Sequence, residues 1–271
     1  MEFMFSGLSQ ISSLNLKSFN TKKLKKIKYM FSKCYHLEKL ETGNNFVISG
    51  ITDLSGLSSD CYFLPRIDIK FVDTSITTNM SYLFKSCSKL TSMDLSNFDT
   101  SNVIDMSYIF SNCFVLVSID ISHFNTSNVE DMNNYFQHAQ NKRFKFNNFK
   151  TSKVKNIRSL FTFCGSLASL DLSNFDTSQV TNMNEMFNMC YSLKELDLST
   201  FNTSNVLDMS FMFSAMDQLT DINLSNFDTR KVVNLQNMFY GDSSLLSIDL
   251  SSFYTLKVKC ISNMFRGYSF E

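Results

Sequence analysis

Along most of the chain, apolar and polar positions return in one fixed order. In Leu90–Cys113, LTSMDLSNFDTSNVIDMSYIFSNC, the apolar residues Leu90, Met93 and Leu95 spell L-x-x-L-x-L. The end of that stretch alternates in and out like a short strand. Phe98 follows, and then the polar run Asp99-Thr100-Ser101-Asn102 offers the side-chain acceptors of a helix N-cap. Val103, Met106, Phe110 and Cys113 are then spaced by three, four and three, which places them on one face of a short helix. The pattern predicts strand, capped turn, short helix and return.

The same order is copied along the chain. Leu116–Ala139, Leu167–Cys190, Leu193–Met216 and Leu219–Asp242 repeat it almost word for word, and Phe175, Phe201, Phe227 and Phe253 mark the step of 26 residues. That period belongs to solenoids. A strand–helix unit cannot bury its apolar stripe alone, but stacked copies share one continuous core. The expected fold class is α/β: a leucine-rich-repeat solenoid of about ten units with a curved parallel sheet on one face, spanning roughly 45–50 Å. One array should occupy residues 1–271. Its irregular units fall at 37–61, which loses the wording around Gly43-Asn44-Asn45, and at 142–164, which is one residue short. Both ends read as mid-repeat without clear caps, which predicts end-to-end self-association or a piece cut from a longer array.

Composition removes several classes. The 25 basic and 25 acidic residues cancel, so no net field steers the chain to nucleic acid or membrane. Two units are locally basic, with Lys17 to Lys33 in one and Lys142 to Arg158 in the other. They lack the interleaved exposed aromatics of a nucleic-acid site, and no nucleic-acid partner is expected. No apolar run approaches the ~20 residues of a membrane span, and MEFMFSGLSQ does not read as a signal peptide.

Six of the seven cysteines, from Cys34 to Cys190, close a unit, and Ala139, Met216 and Asp242 stand at the same position in others. A position that accepts Ala or Met is a small buried slot, in which free Cys acts as a modest hydrophobe. Parallel Cβ vectors on neighbouring coils disfavour disulfides, and no Cys-x-x-Cys or His pair supports zinc. His36, His123 and His138 share no spacing with a nucleophile or acid, and no glycine-rich phosphate loop occurs. The reading is non-enzymatic, with no catalytic residue, cofactor or metal.

The wording LxxLDLSxFDTSxVxxMxxMFxxC resembles the BspA-like leucine-rich repeats, the bacterial surface-protein 26-residue repeat also described as a mycoplasma lipoprotein-associated domain of unknown function. The resemblance covers nearly the whole chain and weakens at 37–61 and 142–164. It implies an adhesin-like surface or secreted array that binds host or other cell-surface proteins. Neither an export signal nor an anchor is read in this chain, so a cytoplasmic location stays open.

On the expected sheet, Asp68, Asp94, Asp120, Asp171, Asp197 and Asp249 form one outward column. Ser92, Ser118 and Ser169 lie beside it, and Glu195 and Asp221 share the face. Arg143 and Lys145 cut a basic notch into this acidic–hydroxyl strip. This is the expected partner-binding face, since solenoids use their extended surfaces for binding. Its competitor is a spacer whose consensus residues are merely solvated, and calcium bridging of the column is a further alternative. A second column, Asp73, Asp99, Asn125, Asp176, Asn202 and Asp228, interchanges Asp with Asn, as expected of local side-chain bonds to turn backbone.

Overall fold

A computed structural model describes residues 2–116, 119–146 and 148–267. The chain winds as a solenoid whose successive coils are joined by parallel single-residue bridges. These run Asp53↔Asn79, Asn79↔Asp105, Asp105↔Asp131 and onward to Asn234↔Cys260. Among the described residues, extended strands are short and confined to one end. β1 (Ser13–Leu16) pairs in parallel with β2 (Lys39–Thr42), with Ser13 opposite Lys39. The described residues contain no α-helix.

The stretch expected to be a short helix is instead a flat ribbon of consecutive turns. Within one unit, Leu83 N–H bonds Met80 C=O (3.3 Å), Lys85 bonds Tyr82 (3.1 Å) and Cys87 bonds Phe84 (3.1 Å). The alternate N–H groups of Met80, Tyr82, Phe84 and Ser86 reach the next coil, at Asp105, Ser107, Ile109 and Ser111 (2.7–3.1 Å). Tyr82 and Ser86 are left-handed, both at φ 59°, as are Tyr108 and Asn112 one unit later. Each occupies the third position of a turn, where a type II turn requires positive φ. The spacing of three, four and three fits either geometry, because both bring the same residues to one side. A helix of two turns would leave nearly all its end N–H and C=O groups unpaired, whereas the ribbon satisfies them through the neighbouring coil. Holding a non-glycine residue left-handed costs about 1–2 kcal/mol, and the inter-coil bonds offset it.

The sheet differs from expectation as well. Past β2 the L-x-x-L-x-L segments do not pair as strands among the described residues. Only isolated bonds cross between coils there, such as Thr91 N–H to Pro65 C=O (3.3 Å) and Ala168 N–H to Lys142 C=O (3.1 Å). Each Asp side chain there turns back on its own backbone, as Asp94 Oδ1 accepts the N–H of Ser96, two residues on.

Between ribbon and strand face lies the core. Phe84, Phe110, Phe136, Phe161, Phe187, Phe213 and Phe239 form one stack, with successive ring centroids 5.5–6.1 Å apart. The irregular unit at 37–61 breaks this stack. Ser58 takes the ring position, its hydroxyl buried without a partner, and Phe46 fills in against Phe31 and Phe71. In the short unit, Phe144 packs on Phe136 at 4.2 Å and Phe146 on Phe161 at 5.9 Å. A row of buried threonines stitches the corner. Thr100 Oγ1 donates to Asn125 C=O (3.0 Å) and accepts Asn125 N–H (2.8 Å), and Thr177 does the same with Asn202.

All seven cysteines are free thiols. Six are buried and donate to a carbonyl one coil back, as Cys113 does to Phe84 (3.2 Å) and Cys190 to Phe161 (3.2 Å). Burial pushes the thiols of Cys113 and Cys190 up to about 12, so they are inert as nucleophiles at neutral pH. The slot is therefore also a hydrogen-bonding position, a role that apolar substitution at Ala139 and Met216 conceals in the sequence.

Candidate functional site

The expected column exists as an exposed row, and each of its carboxylates is engaged by its own backbone. Oδ1 of Asp68, Asp94, Asp120, Asp171, Asp197 and Asp249 accepts the N–H two residues on, at 2.8–3.1 Å. At Asp94 and Asp120 the serine hydroxyl also donates, at 2.6 Å. Those hydroxyl bonds hold both carboxyls below the usual range. At Asp171, Asp197 and Asp249 the backbone N–H is the leading cause of the same shift. Carboxylates that accept such bonds favour their charged form, and the row as a whole is a line of Asx turns.

Two further rows repeat this geometry. Asp73, Asp99, Asn125, Asp176, Asn202 and Asp228 each cap the N–H two residues on (2.9–3.1 Å), as their Asp/Asn interchange implied. The third row, at Asp53, Asn79, Asp105, Asp131, Asn182 and Asp208, lies on the bridge residues themselves. Sequence reasoning missed it, although the signal was available: the cassette spells Asp-x-Ser three times, at 94, 99 and 105.

The neighbouring row behaves differently. Ser92, Arg143, Ser169, Glu195 and Asp221 are all exposed, as are Arg66 and Lys145. Ser118 lies outside the described residues. Among these the notch residue Lys145 stands where other units carry the Asx-turn carboxylate, close enough to Asp120 to help lower its pKa. Lys70 pairs with Asp94 at 3.4 Å across one coil.

Because the coils are weakly bonded here, shallow open grooves lie between them. One of about 530 Å³ runs from Arg66 and Asp68 to Ser92 and Asp94, and another of about 450 Å³ from Glu195 and Asp197 to Asp221 and Asn223. The structure thus gathers Asp68, Ser92 and Asp94 about one groove and Glu195, Asp197 and Asp221 about another.

Other chemistry-bearing groups stay dispersed. His36 Nδ1 contacts Ser9 C=O (2.6 Å), His123 Nε2 contacts Leu95 C=O (3.0 Å), and His138 stacks on Phe163 at 4.2 Å. Among the described residues no group of three or more His, Cys, Asp or Glu is gathered as a metal site would need, and no helix is long and apolar enough to cross a membrane.

Residues 1–62, 52–170, 138–222 and 159–271 match the family described as "Mycoplasma protein of unknown function, DUF285". The chain belongs to this family. The DUF285 match runs the length of the array, across both irregular units, and its 26-residue unit is the BspA-like leucine-rich repeat. No curated protein matches the chain. Among solved structures, it is similar to a leucine-rich repeat protein from Bacteroides ovatus (18% identity, 98% of this chain and 73% of that one, TM-score 0.38). A leucine-rich repeat protein from Eubacterium ventriosum is similar at 15% identity, over 97% and 76% of the two chains, with a TM-score of 0.40.

Proposed function

We propose that this DUF285 array is a non-enzymatic, adhesin-like protein-binding module, acting as one unit over residues 1–271 at the cell surface or outside the cell. The partner is a protein held against the strand face. One observation carries the reading: exposed positions on this face that no Asx turn requires hold Arg66, Arg143, Glu195 and Asp221 where other units have serine, and Lys145 replaces a turn carboxylate. Architecture needs none of these side chains, so their charges are free to serve recognition. Alternating basic and acidic patches favour a partner of complementary pattern, giving register and specificity more than raw affinity.

A second reading, a spacer with no site of its own, draws on the Asx turns, since a carboxylate committed to local backbone explains the Asp column without any partner. Binding to immobilised extracellular-matrix and cell-surface proteins separates the two. The chain is compared with a variant carrying Arg66→Ser, Arg143→Ser, Lys145→Asn, Glu195→Ser and Asp221→Ser. The module reading expects saturable capture that falls at least about tenfold in the variant while the fold is kept. Capture of nothing by either protein leaves the spacer.

A further inference from the structure

The turn ribbon carries a second feature, unrelated to the strand face. Its first left-handed position is aromatic in the early coils, with Phe3, Tyr29, Tyr82 and Tyr108 in one row and Gly56 in the gap between Tyr29 and Tyr82. Phe3 stacks on Tyr29 (5.4 Å, 11°) and Tyr82 on Tyr108 (4.6 Å, 8°). Gly56 is required there: a Cβ would stand 2.0 Å from Tyr29 Cε1, so only glycine lets that ring lie against the next coil. Beyond Tyr108 the row continues with Asn134, Ser159 and Glu185, and an aromatic returns singly at Phe211 before Asn237 and Asn263. The run of neighbouring aromatics therefore lies at one end of the ribbon.

Over this stretch lies a groove of about 400 Å³, walled by Phe3, Tyr29 and Tyr82 and edged by Lys33, Asp60 and Lys85. Lys33 and Asp60 sit one coil apart at the second left-handed position. Neither forms an ion pair among the described residues, so an acceptor-only carboxylate and a donor-only ammonium face the groove side by side.

We propose that this groove binds a carbohydrate, as one or two pyranose rings of a glycan. Three observations select that chemistry. The rings already have cations, Lys28 5.7 Å from Tyr29 and Lys85 5.4 and 5.3 Å from Tyr82 and Tyr108, so a cationic ligand would meet repulsion. The ribbon's N–H groups at Tyr29, Phe31 and Lys33 are committed to Ser55, Leu57 and Ser59 of the next coil, so an added peptide strand finds no free ladder. A pyranose, by contrast, offers an apolar C–H face to an aromatic ring and hydroxyls that donate to Asp60 and accept from Lys33 and Lys85.

The test uses the full chain with maltotriose, N,N′,N″-triacetylchitotriose and 3′-sialyllactose at millimolar concentration. Binding is read by saturation-transfer NMR and by tyrosine fluorescence, which is unmasked because the chain has no Trp. At least one sugar should bind, and Tyr82→Ala and Asp60→Asn should each weaken it about tenfold or more. Asp60→Asn guards against a folding artefact at Tyr82. Arg143→Ser with Lys145→Ser, on the strand face, should leave sugar binding unchanged, so this site and the protein-binding reading stand or fall separately. Binding of none of the three sugars, binding undiminished in both groove variants, or an equal loss in the strand-face variant overturns the proposal.

Discussion

The ribbon and the strand face are built from the same cassette and held in opposite ways. On the ribbon nearly every second N–H reaches the next coil, and the rings beneath it stack at 5.5–6.1 Å. On the strand face each Asp turns back on its own chain, and neighbouring coils share isolated bonds. Cohesion between units therefore resides in the ribbon, the threonine corner and the phenylalanine stack. The strand face needs only its Asx turns, and every other outward position there can vary at little cost in stability. In a nearest-neighbour array, that division lets a surface diversify while the stacking that supports it stays constant.

The largest effect should come from the cohesive side. Phe187 is fully buried and sandwiched between Phe161 at 6.0 Å and Phe213 at 5.9 Å. Phe187→Ala removes contacts to both neighbouring coils and should cost about 3–5 kcal/mol by denaturant unfolding. Ser169→Ala on the exposed face should stay within about 0.5 kcal/mol. Comparable losses at the two sites would erase the contrast.

Asp242 tests the same side through pH. It stands in the cysteine slot, buried, with Oδ1 accepting Met216 N–H (2.8 Å) and Oδ2 without a partner. Burial raises its pKa to about 7, against roughly 4 in an unfolded chain. Between these values the folded state keeps a proton that the unfolded state has released, so stability falls as pH rises from 4 to 7 and levels off above. The slope approaches about 1.4 kcal/mol per pH unit, on the order of 4 kcal/mol over the window as an upper bound. Asp242→Cys restores the slot's usual thiol donor. It should flatten that slope and raise the melting midpoint at pH 7, while leaving stability at pH 4 nearly unchanged. A pH slope that survives the substitution would assign the dependence to other groups.

How much of this was legible follows from what the repeat encodes. The solenoid and its inward residues were readable because burial depends on position, and Leu90, Phe98, Val103, Met106, Phe110 and Cys113 all face the core. The ribbon was not, since helix and turn run place those same residues inward, and only the left-handed Tyr82 and Ser86 tell them apart. No propensity scale marks a tyrosine for positive φ; it is held there by bonds to a neighbour some 26 residues away. The candidate face was legible as an exposed row but not as a row of turns, because Asp-x-Ser suits both a hydrated strand and an Asx turn. The groove at Tyr29 and Tyr82 was missed for a different reason: Tyr29, Tyr82 and Tyr108 share one cassette position and fall in one row in either geometry, but the wording does not show that Gly56 makes room for the Tyr29 ring.

The smallest effect is the most discriminating for the strand face. Asp94→Ala removes the acceptor for Ser96 N–H and its hydroxyl, yet both are exposed and water replaces it, so the melting midpoint should drop by only about 1–2 °C. Asp94→Asn should restore it, because asparagine already makes this turn at Asn15, which accepts Lys17 N–H at 3.0 Å, and at Asn223, which accepts Ser225 N–H at 3.0 Å. The two substitutions therefore remove the charge with and without the turn. If a protein partner reads the carboxylate, both weaken binding equally. If it reads only the backbone shape that the turn sets, Asn keeps binding and Ala loses part of it. If neither changes binding, Asp94 is architecture alone, and recognition falls to the charges that break the cassette, Arg66, Arg143, Lys145, Glu195 and Asp221.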